Sequence, residues 1–220
     1  MFAGQDPRTI AGRRPDSVTG VSASYPRAFM PAFLMESARR GVDMVSEPES
    51  LQKWFAYIAA ARQGYIGTFE KLPPGELSRD RGASFPSLLD ILAHSQGALY
   101  FWIRNCSPTA FPPPEPETDE PPTIAQLKAF ETYLQAHVQR FVGALGESDL
   151  DRVIARPRGP GSDHDCNIPV REILWHLVEE ELQHLGELNA LLWQIDVEAP
   201  VYNWIRWAHD VGRIQDLPSK

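Results

Sequence analysis

The chain has 220 residues, 29 of them acidic and 21 basic, for a net charge of −8; that length suits one domain with a sizeable core, and a negative field with no basic stripe argues against nucleic acid as a partner. No apolar run approaches the ~18 residues that cross a bilayer, and no apolar stretch follows Arg13 and Arg14 to make a secretory signal. Two cysteines, Cys106 and Cys166, make no disulfide framework, so a reducing cytoplasm is the expected location.

Residues 1 to about 45 carry Gly, Pro, Ser and Arg with no sustained period and one short apolar patch, FMPAFLM, broken by Pro31. They read as a weakly structured arm, and a gene start at Met44 is equally open. A first helix is expected from about Pro48 to Lys71. Ser46 and Glu49 have capping-box spacing, and Pro48 falls in the first turn, where its missing N–H costs nothing. Leu51, Trp54, Phe55, Ile58, Tyr65 and Phe69 form much of its apolar face. A second helix is expected from about Pro86 to Asn105, with Leu88, Ile91, Ala98 and Trp102 inward.

The stretch SPTAFPPPEPETDEPP holds seven prolines and must be a loop. A third helix starts at Thr123, with Gln126 completing a capping box, and runs to about Leu145, where Gly146 is expected to stop it. A polar loop containing RPRGPGSDHDCN follows. The fourth helix runs from about Pro169 to Ile195, and the tail VYNWIRWAH is expected to pack back on the rest. Four helices of about 20 residues with no β-rich run predict an all-α, antiparallel four-helix bundle over residues 46–210, with two long loops, the arm 1–45 and a tail 211–220. Long loops on a rigid scaffold are where pockets are commonly built.

Chemistry concentrates on the second and fourth helices. At about 100° per residue, His94 falls at the edge of the buried stripe drawn through Ile91, with Gly97 one turn on. On the fourth helix, His184 sits at the edge of the face made by Leu174, Leu177, Val178, Leu185, Leu188 and Leu192. Glu180 is one turn before it. A carboxylate and an imidazole at i and i+4 lie close enough to meet on one cation, and a histidine from a facing helix makes a His₂Glu set with open coordination positions. Glu181 falls at the centre of the stripe, where a carboxylate needs a partner. Geometry alone leaves Glu180 and Glu181 both open as the ligand, and His176 can also reach the site. His164, Asp165 and Cys166 read as solvated loop residues, and Cys106 as a packed thiol. No Gly-rich phosphate loop or nucleophile elbow is present.

The segments SLLDILAHSQGALYFWI and HLVEEELQHLGELNALL, about 80 residues apart, resemble the DinB-like metalloprotein family. That group includes mycothiol- and bacillithiol-dependent S-transferases and the mycothiol-dependent maleylpyruvate isomerase. The likeness spans about residues 48–197 and rests on the histidine of the second helix, the histidine of the fourth followed by Gly186, and their spacing. Many members carry histidine where this chain has Glu180; the mycothiol-dependent branch resembles it in using glutamate. The arm and the proline-rich loop have no counterpart in that pattern.

The resemblance implies His94, Glu180 and His184 as ligands of one divalent metal, with zinc first and nickel or iron admitted, and leaves Glu181 as a supporting carboxylate. The implied activity is metal-dependent activation of a low-molecular-weight thiol towards a small electrophile, as an S-transferase or thiol-dependent isomerase. Glu181 and His176 are the groups expected to move protons, with Glu187 and Asp90 nearby. Arg156 and Arg158, with Arg152 and Arg171 beside them, are expected to hold an anionic thiol. The same ligands would serve a non-catalytic stress-response or ligand-binding module, or a metal-dependent hydrolase. Expected partners are the thiol and the electrophile, with no nucleic acid and no membrane; a homodimer is open.

Overall fold

The computed structural model describes residues 45–107, 109, 111–112, 122–156, 165–200 and 203–214. The chain divides into two units, Met1–Val45 and Ser46–Lys220. The expected N-terminal arm falls outside the described residues apart from Val45, and the expected tail is described only as far as Ile214.

Seven helices and one two-stranded ribbon make up the described part of the second unit. They are α1 (Glu47–Phe69), α2 (Pro74–Leu77), α3 (Leu88–Cys106), α4 (Ile124–Gly143), α5 (Glu147–Leu150), β1 (Val153–Arg156), β2 (Cys166–Pro169), α6 (Val170–Trp193) and α7 (Trp204–Asp210). Local chemistry sets most of their ends. The Ser46 hydroxyl accepts the Glu49 amide at the start of α1, and Pro73–Pro74 forbids its continuation. Thr123 and Gln126 close a full reciprocal capping box on α4. On α3, Ser87 caps the Asp90 amide, so the helix begins two residues after Pro86. Among the described residues no helix is long and apolar enough to cross a membrane.

The four long helices form the bundle. α1 packs on α4 and α6, and α3 packs on the same two, so α1 and α3 are diagonal, as are α4 and α6. Side-chain bonds give the directions. Gln52 reaches the Val142 carbonyl while Arg62 meets Glu131, so α1 and α4 are antiparallel. His94 meets Glu180 while Ser84, ahead of α3, meets Glu187, so α3 and α6 are antiparallel too. Glu47 bonds Arg171 and Trp175 at one end of α1, and Tyr65 bonds Asn189 at the other, so α1 and α6 run parallel. Likewise Gln96 meets the Leu127 carbonyl and Ile103 faces His137 and Phe141, so α3 and α4 run parallel. Parallel neighbours cannot be joined by a tight turn, which is why the connection between α3 and α4 is the long proline-rich stretch.

Three sequence expectations change. α4 ends at Gly143 with Ala144 as its C-cap; Gly146 does not stop it but is the N-cap of α5, where its amide is bonded by the Asp149 carboxylate. The loop before α6 contains an antiparallel ribbon pairing Ile154 with Ile168 and Arg156 with Cys166. Both isoleucines pack on the core, and the Val170 amide at the start of α6 continues the pairing by donating to the Arg152 carbonyl. On α3 the buried positions are Leu88, Ile91, Leu92, Ser95, Gln96, Leu99, Ile103 and Cys106. The buried stripe is therefore rotated away from the Ile91–Ala98–Trp102 line, and Ala98 and Trp102 are only half-buried.

The cause of that rotation is a polar layer. Arg62 from α1 donates through Nε to Glu131 of α4 at 3.0 Å and through Nη1 to Glu181 of α6 at 2.9 Å. Ser95 of α3 donates to the same Glu181 oxygen, and Gln96 donates to Glu131. All five side chains are buried, Arg62 at 2% exposure. The layer separates two apolar clusters. One holds Leu51, Phe55, Leu99, Leu134 and Leu174; the other holds Tyr65, Leu88, Leu127, Leu185 and Leu188. Ile58 and Ala61 on α1, Leu92 and Leu99 on α3, and Val178 and Leu185 on α6 flank it from the two sides.

One guanidinium serves two carboxylates here. Burial, against the opposing pull of Arg62 and the Ser95 hydrogen bond, pushes Glu181 up to about 7. Arg62→Ala strands both carboxylates and is expected to cost about 3–5 kcal/mol in urea unfolding, with Glu131→Gln recovering part of it; a loss of the size seen for exposed pairs, under about 1 kcal/mol, would refute a closed charge layer. The Glu181 proton binds the folded state more readily than the unfolded chain. Its contribution to stability is therefore complete below the ordinary carboxylate range and is lost as pH rises through about 7. Thermal melts of Glu181→Gln should fall less steeply with rising pH across that window than those of the parent chain.

Candidate metal centre

The polar layer positions a second set of groups on the outer side of the same two helices. His94 precedes Ser95 on α3 and Glu180 precedes Glu181 on α6. Because Ser95 bonds Glu181, the preceding pair is brought together too, with His94 Nε2 3.0 Å from Glu180 Oε1. His184, one turn along α6, turns its ring to 5.0 Å from that of His94, centroid to centroid. One ligand atom from each of His94, Glu180 and His184 lies within 4.8 Å of the others, and all three side chains are half-buried.

Each donor is prepared by a neighbour. The His94 hydrogen bond, together with the nearby His176 and His184, holds the Glu180 carboxyl below its ordinary range despite its burial, so it is an anion at neutral pH. His184 Nδ1 lies 3.3 Å from Glu187 Oε2, which leaves Nε2 as its free nitrogen. Glu187 is fixed in turn by Ser84, whose amide and hydroxyl donate to its two oxygens at 2.7 and 2.5 Å. Burial raises the Glu187 carboxyl, but the Ser84 bonds and His184 outweigh this and keep it low. A carboxylate behind a ligating imidazole fixes its tautomer and raises its basicity. Phe85 stacks on the His94 ring at 4.0 Å and leans on His184 at 5.7 Å, shielding one side. Two imidazoles, one of them oriented by a carboxylate, and one ionised carboxylate fit a divalent ion, with positions left open.

The DinB family model matches residues 45–212. The chain belongs to the DinB family. That family is metal-associated. A DinB-like protein from Bacillus subtilis of known crystal structure is 18% identical, covering 68% of this chain and 97% of that one, with a TM-score of 0.49. Among curated proteins none matches the sequence.

Of the other residues singled out from the sequence, His176 lies at the edge of the triad. It is half exposed, with Nε2 3.3 Å from Glu180 Oε2. Glu181, expected beside the metal as a proton carrier, is placed in the buried layer instead. Its Oε1 is taken by Arg62 and Ser95, and it is 2% exposed. Asp90 accepts the Ser87 hydroxyl at the start of α3. Arg171 is paired with Glu47 and Asp151, and Arg152 donates to the Cys106 carbonyl. Arg156 reaches over the Trp102 ring, 4.9 Å from its centroid, and Trp102 meets His176 edge-on at 6.2 Å, so Arg156 belongs to the His176 side of the triad. Arg158 and His164 lie outside the described residues. Cys106 and Cys166 are free thiols.

Ser84 and Phe85 carry no sequence signal, since they sit in a connection without periodicity and reach Glu187 and His184, about 100 residues away. In this DinB-family chain, His184→Ala is expected to abolish tight zinc binding, and Glu187→Ala to weaken it 10- to 100-fold. Glu180→Gln should lose the metal while Glu181→Gln keeps it. Chelator competition on folded protein, monitored by circular dichroism, checks the series, and the reverse order for the two glutamines would assign the ligand to Glu181.

Proposed function

We propose that the chain is a divalent-metal-dependent enzyme that activates a low-molecular-weight thiol of the mycothiol or bacillithiol type towards a small electrophile, by S-transfer or thiol-dependent isomerisation. The observation that carries this reading is the convergence, among the described residues, of three protein donors, His94, Glu180 and His184, beside a half-exposed histidine. Zinc suits that set best, and nickel or iron are admitted by the same ligands. A divalent ion held there supplies the Lewis acidity that ionises a thiol at neutral pH.

The rest is the work of the chain's own groups. His176 stands where a proton leaving the site would pass and, half exposed, can hand it to solvent. Phe85 keeps water from one face of the histidines. Arg156, spread over Trp102 on the His176 side, holds an anionic group of the thiol or the electrophile, with Arg158 two residues further on. Glu181 acts from below by keeping α6 in register. Ionisation accounts for only part of a rate gain, because a free thiol of pKa ~8.5 is already a few per cent thiolate at pH 7. Holding the electrophile against the sulfur can remove several kcal/mol more, so activity should depend strongly on the thiol and electrophile offered.

The zinc-loaded protein is expected to accelerate conjugation for at least one pair from a panel of glutathione, cysteine and sugar-based thiols with epoxides and alkyl halides. The rate should vanish on chelation and in Glu180→Ala. His176→Gln should keep its metal and lose rate. No metal-dependent rate with any pair, with zinc confirmed bound, would leave a non-catalytic metal-binding module.

A further inference from the structure

A concavity lies towards the C-terminal end of α3, about two helical turns from the polar layer, since Ile103 is eight residues beyond Ser95 at ~1.5 Å each. It encloses about 310 Å³ among the described residues, the lower end of the range for small-molecule pockets. Its walls are apolar: Ile103, Phe111, Phe141 and Leu145. Phe111 is held in place from three sides. It stacks on His137 at 4.3 Å and on Tyr133 at 5.7 Å, and its carbonyl accepts the Tyr100 hydroxyl. The wall therefore does not depend on a ligand to form.

Its charge runs against that of the molecule. In a chain of net charge −8, this cavity is lined by Arg140 and Arg152 against one carboxylate, Asp149. That carboxylate already accepts the Gly146 amide. The Arg152 guanidinium is braced by the Cys106 carbonyl. Burial, and then the nearby Arg140 charge, lower the His137 pKa.

We propose that this cavity is a binding site, separate from the metal triad, for a small amphipathic anion: an aromatic or branched apolar body seated on Phe111, Phe141 and Ile103, with a carboxylate, sulfonate or phosphate head between Arg140 and Arg152. Arginine pairs suit such heads because their forked donors meet two oxygens at once.

The probe is 8-anilino-1-naphthalenesulfonate, with N-phenyl-1-naphthylamine as its counterpart lacking the sulfonate. By fluorescence titration of the full chain, the anionic probe should bind once per chain and at least about tenfold more tightly than the neutral one, as expected for a charge-assisted pair. The affinity should be the same with and without zinc. Arg140→Gln, at an exposed position that carries no part of the core, should weaken the anion several-fold and spare the neutral probe. Ala144→Phe should fill the cavity and remove both. Equal affinity for the two probes, an unchanged affinity in Arg140→Gln, or binding that survives Ala144→Phe would each overturn the proposal.

Discussion

A single buried guanidinium orders this molecule. Arg62 enters the centre of the bundle from α1 and meets carboxylates from two other helices, while α3 supplies Ser95 to the Glu181 oxygen that Arg62 also holds and Gln96 to the Glu131 oxygen that Arg62 leaves. Desolvating an arginine and two glutamates is costly, and such a layer is tolerated only when its geometry is nearly complete. That requirement acts as a register lock. Apolar faces can slide or rotate at modest cost, but a shift of α3 or α6 by one residue would separate Ser95 from Glu181 and leave a buried carboxylate short of a donor.

The metal triad depends on this lock. Ser95 and Glu181 face inward, while the residues just before them, His94 and Glu180, come together on the outer side at the same level. Two adjacent glutamates thereby acquire opposite characters. Glu180, beside three histidines, is held as an anion; Glu181, dry and sharing its cation, is pushed up to about 7. Environment and not residue type divides their roles.

The connections carry what the helices do not. Because α1 and α3 are diagonal, as are α4 and α6, and α3 and α4 run parallel, no tight turn joins consecutive long helices, and the connections deliver side chains to both sites. Ser84 and Phe85 arrive ahead of α3 to orient and cover the histidines. The ribbon brings Arg156 over Trp102. Phe111, within the proline-rich stretch, docks on Tyr133 and His137 and walls the cavity beside Arg140.

The sequence by itself determined the long helices and the placement of His94, Glu180 and His184 on two of them. Caps, prolines and a 3.6-residue period are local, and they act before any tertiary contact exists. It left open which of two adjacent glutamates is the ligand, because Glu180 at i−4 and Glu181 at i−3 both lie within one helical turn of His184. It misdirected the inner face of α3, since Ser95 and Gln96 count as surface residues in any hydrophobic pattern. Only their partners on α4 and α6 make them core. It was silent on the Ser84–Glu187–His184 chain, on the ribbon and on the cavity beside Arg140. Each of these joins residues tens of positions apart, and a hydrogen bond or a ring stack between such residues leaves no period behind. The tertiary structure decided them because buried polar groups need partners, and most of those partners come from other helices and connections.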